Sequence, residues 1–409
     1  MDVLLNFFED SIIHQEITIS GSKSESNRLL ILQKLFPEIS IDNLSDSDDS
    51  FYLQQALSSN EELVNIGHAG TAMRFLTSYF AVNKTRETVL TGSERMQNRP
   101  IEVLVNALQD LGANISYEDK VGYPPIRIKG TKITKDTIQI NGNVSSQYIS
   151  SLLLIASKLE NGLEIQLLGK ITSIPYIKMT LSLLNQLGIE TSFNQDIIKV
   201  HPIQKIEKQT VVVESDWSSA SYFYSIIALA KIGSEVKLSA YTNDSLQGDS
   251  CLADVYTHFG VGTTFGQDFI TLKKLRKTTS KTLELDLKNA PDIAQTIAVT
   301  CFAEGISCNL TGLGTLKIKE TDRLEALKAE LTKLGATISV THKSLHLKKS
   351  SRIKNNISIK TYNDHRMAMA FAPLSLRVPI IILNAEVVTK SYQKFWTDMQ
   401  QIGIIIKEL

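Results

Sequence analysis

The sequence predicts an α/β protein of two domains assembled from six related units, three to a domain. Two observations carry this. The chain has 409 residues, more than a single typical domain holds. One pattern also returns five times: an amphipathic helix, a glycine near its end, then a short strand. It reads VLVNALQDLGANISY, MTLSLLNQLGIETSF, CLADVYTHFGVGTTF, LEALKAELTKLGATISV and FWTDMQQIGIIIKEL. The glycines, Gly112, Gly188, Gly260, Gly335 and Gly403, stand 76, 72, 75 and 68 residues apart. Glycine past a helix end is expected where the chain turns into a left-handed conformation. A degenerate sixth copy is read at FYLQQALSSN, 51–60, followed by EELVNIG. Six units of roughly 68 residues exceed the usual solenoid period, and each has room for several strands and two helices.

Taken in order, EITIS at 16–20 alternates like a half-buried strand, and RLLILQKLF at 28–36 reads as a helix. GSKSESNR joins them, with Lys23 and Ser24 at the helix entrance and Arg28 one turn in. A helix N-terminus presents unpaired N–H groups and about half a positive charge, so cations and hydroxyls there make a site for phosphate or carboxylate. The acidic SDSDD at 45–49 reads as a turn and cap for a helix beginning near Ser50. HAGTAMRFL at 68–76 repeats the turn–helix arrangement with Arg74 in the first turn. VSSQYISSLLLIAS puts Ser145 and Ser146 at the mouth of an apolar helix. TSIPYIKM has Ser173 just before Pro175, a residue favoured at a first helical position. In IKETDRLEALKAEL, Asp322 reads as an N-cap with Glu325 three residues on, as in a capping box. In YNDHRMAMAFA, Asp364 caps the helix that carries His365 and Arg366. Together these helix starts point to one anionic ligand.

Composition limits the alternatives. Lys+Arg and Asp+Glu number 43 each, so the net charge is zero, which argues against nonspecific nucleic-acid binding. The cysteines, Cys251, Cys301 and Cys308, are too few for a disulfide framework, show no metal-type spacing, and read as buried apolar packing. The N-terminus lacks a basic n-region, and Glu9 and Asp10 interrupt its apolar run, unlike a signal peptide. No apolar stretch is long enough to span a membrane. A cytoplasmic protein is expected, with no nucleic-acid or membrane partner, no metal and no organic cofactor.

The runs GSKSESNR, SDSDD, AGTAMR, NRPI, YPPI, VSSQY, IPYI, SSASYF, LQGD, PDIA, KETDRL, YNDHRMAMAF and the lysine of VVTKSY cover nearly the whole chain. In this order they resemble the 5-enolpyruvylshikimate-3-phosphate synthases, of the enolpyruvyl transferase family. The resemblance implies a two-domain inside-out α/β barrel of six βαβαββ repeats. One domain would span 21–213 and the other 1–20 with 214–409, with an active site in the cleft between them and closure on substrate. It implies a reaction that moves the enolpyruvyl group of phosphoenolpyruvate onto the 5-hydroxyl of shikimate 3-phosphate, releasing phosphate. By similarity, shikimate 3-phosphate contacts Lys23, Ser24, Arg28, Ser145, Ser146, Ser173, Tyr176, Asp292 and Lys319. Phosphoenolpyruvate contacts Lys23, Gly70, Arg99, Gln147, Arg323, Arg366 and Lys390. Asp292 is the implied base and Glu320 the implied acid, with His365 and Lys23 further proton-transfer candidates. Arginine suits two anionic substrates because its planar fork grips carboxylate or phosphate with two hydrogen bonds. Glu320 stands between Lys319 and Arg323, which favours its ionised form, so an acid role needs the substrates present.

Three positions depart from the family pattern: His68 and Thr315 stand where asparagines are usual, and Phe75 where a proline is. Gly70 leaves room for glyphosate, which mimics part of the phosphoenolpyruvate site in this family; His68 and Phe75 leave the strength of inhibition open. The rival readings are the sister family acting on UDP-N-acetylglucosamine and a non-catalytic phosphate-ligand binding relative. The sister family typically carries a reactive cysteine in its first domain, whereas every cysteine here lies after residue 250. The pair Asp292 and Glu320 argues against the non-catalytic reading. A monomer is expected.

Overall fold

Each of the five repeat glycines ends its helix in the left-handed region, with φ of +104° at Gly112, +82° at Gly188, +74° at Gly260, +105° at Gly335 and +106° at Gly403. An L side chain rarely adopts that backbone, so glycine marks the turn. The structure, a computed structural model, describes residues 1–7, 12–171 and 174–409. After each glycine the chain enters an edge strand: Asn114–Tyr117, Thr191–Asn194, Val261–Phe265, Ile338–Val340 and Ile404–Glu408.

Among the described residues, five four-stranded sheets share one topology. In the sheet containing Leu63–Asn65, that strand runs parallel to Glu87–Thr91, with the helix Gly70–Val82 crossing between them. Ile126–Lys129 lies antiparallel beside Glu87–Thr91, and the edge strand Asn114–Tyr117 antiparallel beyond it. Strand, helix, strand, helix, then hairpin is the βαβαββ unit. The final copy takes its inner hairpin strand, Val3–Phe7, from the start of the chain. The sixth unit is reduced to Ile39–Asp42 paired in parallel with Gln209–Val212.

The chain divides into two compact units, Met1–Ser20 with Glu214–Leu409, and Gly21–Val213. Among the described residues, each contains three sheets. In the first, every residue of the helices Trp217–Leu229 and Ala294–Ala303 is buried. A helix apolar all round belongs inside. Small polar side chains stitch the two together: Ser221 Oγ lies 3.0 Å from Thr296 Oγ1, and Thr300 Oγ1 donates to Ser225 Oγ at 2.8 Å. In the second unit the helices Gly70–Val82 and Ser146–Ala156 are largely buried and joined through Ser78 and Ser151, 2.6 Å apart. Among the described residues, no helix is long and apolar enough to cross a membrane. Cys301 and Cys308 are buried and Cys251 half-buried, all as free thiols.

Several local expectations are corrected. The strand expected at 16–20 is His14–Ile17. The carbonyls of Ile19 and Ser20 instead accept from Ser215 Oγ and the Asp216 amide, at 2.6 and 3.3 Å, which takes them out of a ladder. The helix expected near Ser50 starts at Asp48, with Ser47 as its cap accepting from the Ser50 amide at 3.4 Å. In the degenerate sixth copy no glycine ends the helix: Asp48–Ser58 ends on Ser59 in extended conformation, and the left-handed glycine, Gly67 at φ +56°, comes only after the following strand. CLADVYTHF is not one amphipathic helix but a single α turn, Leu252–Val255, between two 3-10 turns.

Candidate active site

In the Gly21–Val213 unit, the N-terminal turns of four helices meet. The first, Lys23–Leu35, has Ser22 at its cap position without a side-chain cap bond. Arg28, buried one turn in, ties three of the helices together. Its Nη1 donates to the Ser24 carbonyl at 2.6 Å and its Nε to Thr180 Oγ1 at 2.7 Å. Its Nη2 reaches Ser150 Oγ at 3.0 Å and the Tyr176 carbonyl at 3.3 Å. Burial pushes the Arg28 guanidinium down to about 10, against opposing pulls from Tyr176 and Glu25. The ring of Phe75 lies 5.4 Å from it.

The fourth helix opens at Gly70. Arg99 lies against this start, and Arg74 braces it. Arg74 Nη1 donates to the Gly70 carbonyl at 3.0 Å and Nη2 to the Pro100 carbonyl at 3.1 Å, with Tyr148 Oη on the same carbonyl at 2.7 Å. Burial, then Arg99, lowers the Arg74 guanidinium to about 10. Gln147 Nε2 donates to Thr71 Oγ1 at 3.2 Å, joining the starts of two helices. Ser145 caps the helix from Ser146, accepting from the Gln147 amide at 3.4 Å. Tyr176 is half-buried in the first turn of Ile174–Gln186. Ser173 lies outside the described residues. His68, two residues before Gly70, has its Nε2 3.5 Å from Asp48 Oδ2 and stands edge-on to Tyr52.

In the other unit, Arg323 is the hub, 1 % exposed. It donates to Asp364 Oδ2 through Nε, to Asp292 Oδ1 through Nη1 and to Glu320 Oε2 through Nη2, each at 2.7 Å. Burial alone would lower this guanidinium; Asp364, Glu320 and Asp292 outweigh it and hold it above its ordinary value. Asp292 follows Pro291 in a 3-10 turn that leads into the helix Ala294–Ala303. Three cations surround its carboxylate: Arg323, Lys319 Nζ at 3.4 Å and Arg366 Nη2 at 3.7 Å. Asp364 caps the helix His365–Phe371 by accepting from the Arg366 amide at 2.9 Å. His365 is buried, with Nδ1 4.0 Å from Asp364 Oδ1. Lys390 Nζ donates to the Asn363 carbonyl at 2.7 Å. Asp322 caps Arg323–Lys333 through the amides of Leu324 and Glu325; Glu325 itself turns to Lys328 rather than closing a capping box.

A model of the family described as EPSP synthase (3-phosphoshikimate 1-carboxyvinyltransferase) matches residues 41–399. The chain belongs to the EPSP synthase family. It is 44 % identical over 402 residues to the 3-phosphoshikimate 1-carboxyvinyltransferase of Bacteroides fragilis, covering 97 % of each chain. It is 36 % identical to that of Histophilus somni, covering 96 % of this chain and 97 % of the relative. Among solved structures, EPSP synthase from Acinetobacter baumannii superposes with a TM-score of 0.82 at 20 % identity over the full length of both chains, a likeness of fold.

The sequence marks Asp364 only as a helix cap, whereas its carboxylate also accepts from the buried Arg323 guanidinium. Nothing in the motifs marks Ser150 or Thr180, the hydroxyls that hold Arg28, or gives a role to Ser218 and Asp249. The last two lie in SSASYF and LQGD, runs that carried the resemblance, so the signal was present without a role attached.

Proposed function

We propose that this chain transfers the enolpyruvyl group of phosphoenolpyruvate to the 5-hydroxyl of shikimate 3-phosphate and releases phosphate. The observation that supports it best is the sharing of one buried guanidinium, Arg323, by two carboxylates, Asp292 and Glu320. An addition–elimination needs a base and an acid, and here the two candidate carboxylates each have a separate hydrogen bond to the same cation.

Asp292 takes the proton of the 5-hydroxyl as its oxygen attacks C2 of phosphoenolpyruvate. Glu320 gives a proton to the methylene carbon, forming a methyl group. A proton then leaves that methyl as the C2–O bond to phosphate breaks. For the first step Glu320 must be protonated. The substrates' anionic groups compete for Arg323, the cation paired with Glu320, which loosens its hold on that carboxylate. His365 and Lys23 remain candidates to move protons during elimination.

The Gly21–Val213 unit contributes Lys23, Ser24, Arg28, Ser145, Ser146, Ser173 and Tyr176 to shikimate 3-phosphate, and Lys23, Gly70, Arg99 and Gln147 to phosphoenolpyruvate. The other unit contributes Asp292 and Lys319 to the first substrate, and Arg323, Arg366 and Lys390 to the second. Holding both substrates together supplies several kcal/mol of the barrier lowering. The zero net charge argues against a polyanionic partner such as nucleic acid. We read the protein as cytoplasmic and monomeric.

The test is phosphate release with both substrates and with each alone, beside Asp292→Asn and Glu320→Gln. Release that needs both substrates and falls sharply in both variants supports the reading. A folded wild-type protein that releases none overturns it.

A further inference from the structure

Beside the Arg323 cluster runs a buried polar chain that these roles leave unused. Ser218 and Asp249 are 7 % and 6 % exposed. The Ser218 hydroxyl donates to Asp249 Oδ2 and accepts from Arg366 Nη2 at 3.1 Å. The chain therefore has a direction: with its hydrogen committed to the carboxylate, Ser218 turns lone pairs toward the guanidinium. Arg366 Nη1 donates to the main-chain carbonyl of Asp292 at 3.3 Å. Asp249 sits on a turn stitched to the start of the helix Trp217–Leu229. Gln247 Nε2 donates to the Ser215 carbonyl at 2.9 Å, and Gln247 Oε1 accepts from the Trp217 amide at 2.9 Å.

The distances on Asp292 show what the chain does. Arg323 closes to 2.7 Å on that carboxylate, whereas Arg366 stops at 3.7 Å, held by Ser218. Released from Ser218, Nη2 would be drawn onto Asp292, since opposite charges in a buried site attract strongly. That collapse would bury the donors of Arg366 and cover the carboxylate at once.

We propose that Asp249, acting through Ser218, is a positioning residue that holds Arg366 off Asp292 and aimed at the anion it binds. The identity of that anion as phosphoenolpyruvate rests on the function proposed above; the tether does not. Burial, then Asp292, pushes the Asp249 carboxyl up to about 7, with Asp216 adding to the rise and Arg366 and the Ser218 hydroxyl opposing it. The Cys251 thiol, two residues on, faces it as well and is raised by burial and then by this carboxylate. Only the ionised carboxylate fixes the direction of the Ser218 hydroxyl, so the tether weakens as pH falls through that range.

The experiment measures kcat and both KM values across pH in Asp249→Asn, Ser218→Ala, the double variant and Ser218→Thr. The expected result is a rise of about tenfold in the phosphoenolpyruvate KM in each single variant, no further rise in the double, and recovery in Ser218→Thr, because residues in one hydrogen-bonded chain do not act additively. The shikimate 3-phosphate KM stays level, and Asp249→Asn loses the pH dependence near 7 that the wild type shows. Additive effects, or equal shifts in both KM values, overturn the proposal. A second readout needs no turnover: the Asp249 carboxyl carbon, labelled with 13C and assigned by its loss in Asp249→Asn, titrates at higher pH in Ser218→Ala and in Arg366→Gln. A signal indifferent to both changes overturns the tether even in a protein that releases no phosphate, whereas absence of wild-type turnover speaks only against the assigned reaction.

Discussion

The guanidinium of Arg99 lies so close to the backbone of Gly70 that a β-carbon there would stand 2.4 Å from Nη1. Glycine at the start of this helix therefore admits a cation as well as leaving space for a ligand. Gly70→Ala displaces the end of a flexible side chain rather than backbone. The fold is retained, with Tm moving little, while the phosphoenolpyruvate KM rises on the order of tenfold, as expected when a charged donor is moved by about an ångström. Steady-state phosphate release checks it; an unchanged KM would remove Arg99 from that substrate.

Arg323→Met tests the hub. The guanidinium is 2 % exposed as a side chain, and the Asp364 carboxylate it holds is fully buried. Breaking a buried ion pair by removing one partner typically costs about 3–5 kcal/mol, because the other charge is left uncompensated. Urea unfolding should show a midpoint well below wild type, together with loss of turnover. A variant of wild-type stability would mean that Asp364 finds another partner.

Asp249 gives a pH dependence with a definite sign. Its carboxyl is raised from 3.8 to about 7, chiefly by burial and then by Asp292. Between those values the folded protein binds more protons at this site than the unfolded chain, so stability falls as pH rises from about 4 to about 7. At 1.36 kcal/mol per pKa unit the effect is on the order of 4 kcal/mol at its upper end. Asp249→Asn removes it. Relative to wild type, the variant gains in urea midpoint at pH 8 over its standing at pH 5. A difference constant across pH would sink this expectation.

What was legible in the sequence was local. Gly335 and Gly403 announce their turns because only a residue without a β-carbon sits easily at φ near +105°. Asp322 and Asp364 announce helix starts because a cap bonds amides two or three residues away. Contacts across long separations were not legible. Arg323 and Asp364 are 41 residues apart, and Arg28 and Thr180 are 152 apart. Nothing near Thr180 marks it as a partner for a guanidinium. Ser20 shows the limit from the other side: EITIS alternates as a strand should, yet its end is taken by the main-chain amide of Asp216, nearly two hundred residues on.

The turn before His365 carries the last prediction. Tyr362 and Asn363 both adopt left-handed backbone, with φ of +56° and +54°. The turn is held by Glu330, which accepts from Tyr362 Oη at 2.8 Å and from the Lys360 amide at 3.0 Å. This conformation places the Asn363 carbonyl where Lys390 Nζ donates to it. Asparagine tolerates that region and a β-branched residue does not. Asn363→Val should therefore cost about 1–2 kcal/mol in stability. By shifting the carbonyl it should also release Lys390, raising the phosphoenolpyruvate KM. Asn363→Gly keeps the backbone conformation and so should keep the KM near wild type. If Gly and Val variants raise the KM equally, the Asn363 side chain rather than its backbone positions Lys390.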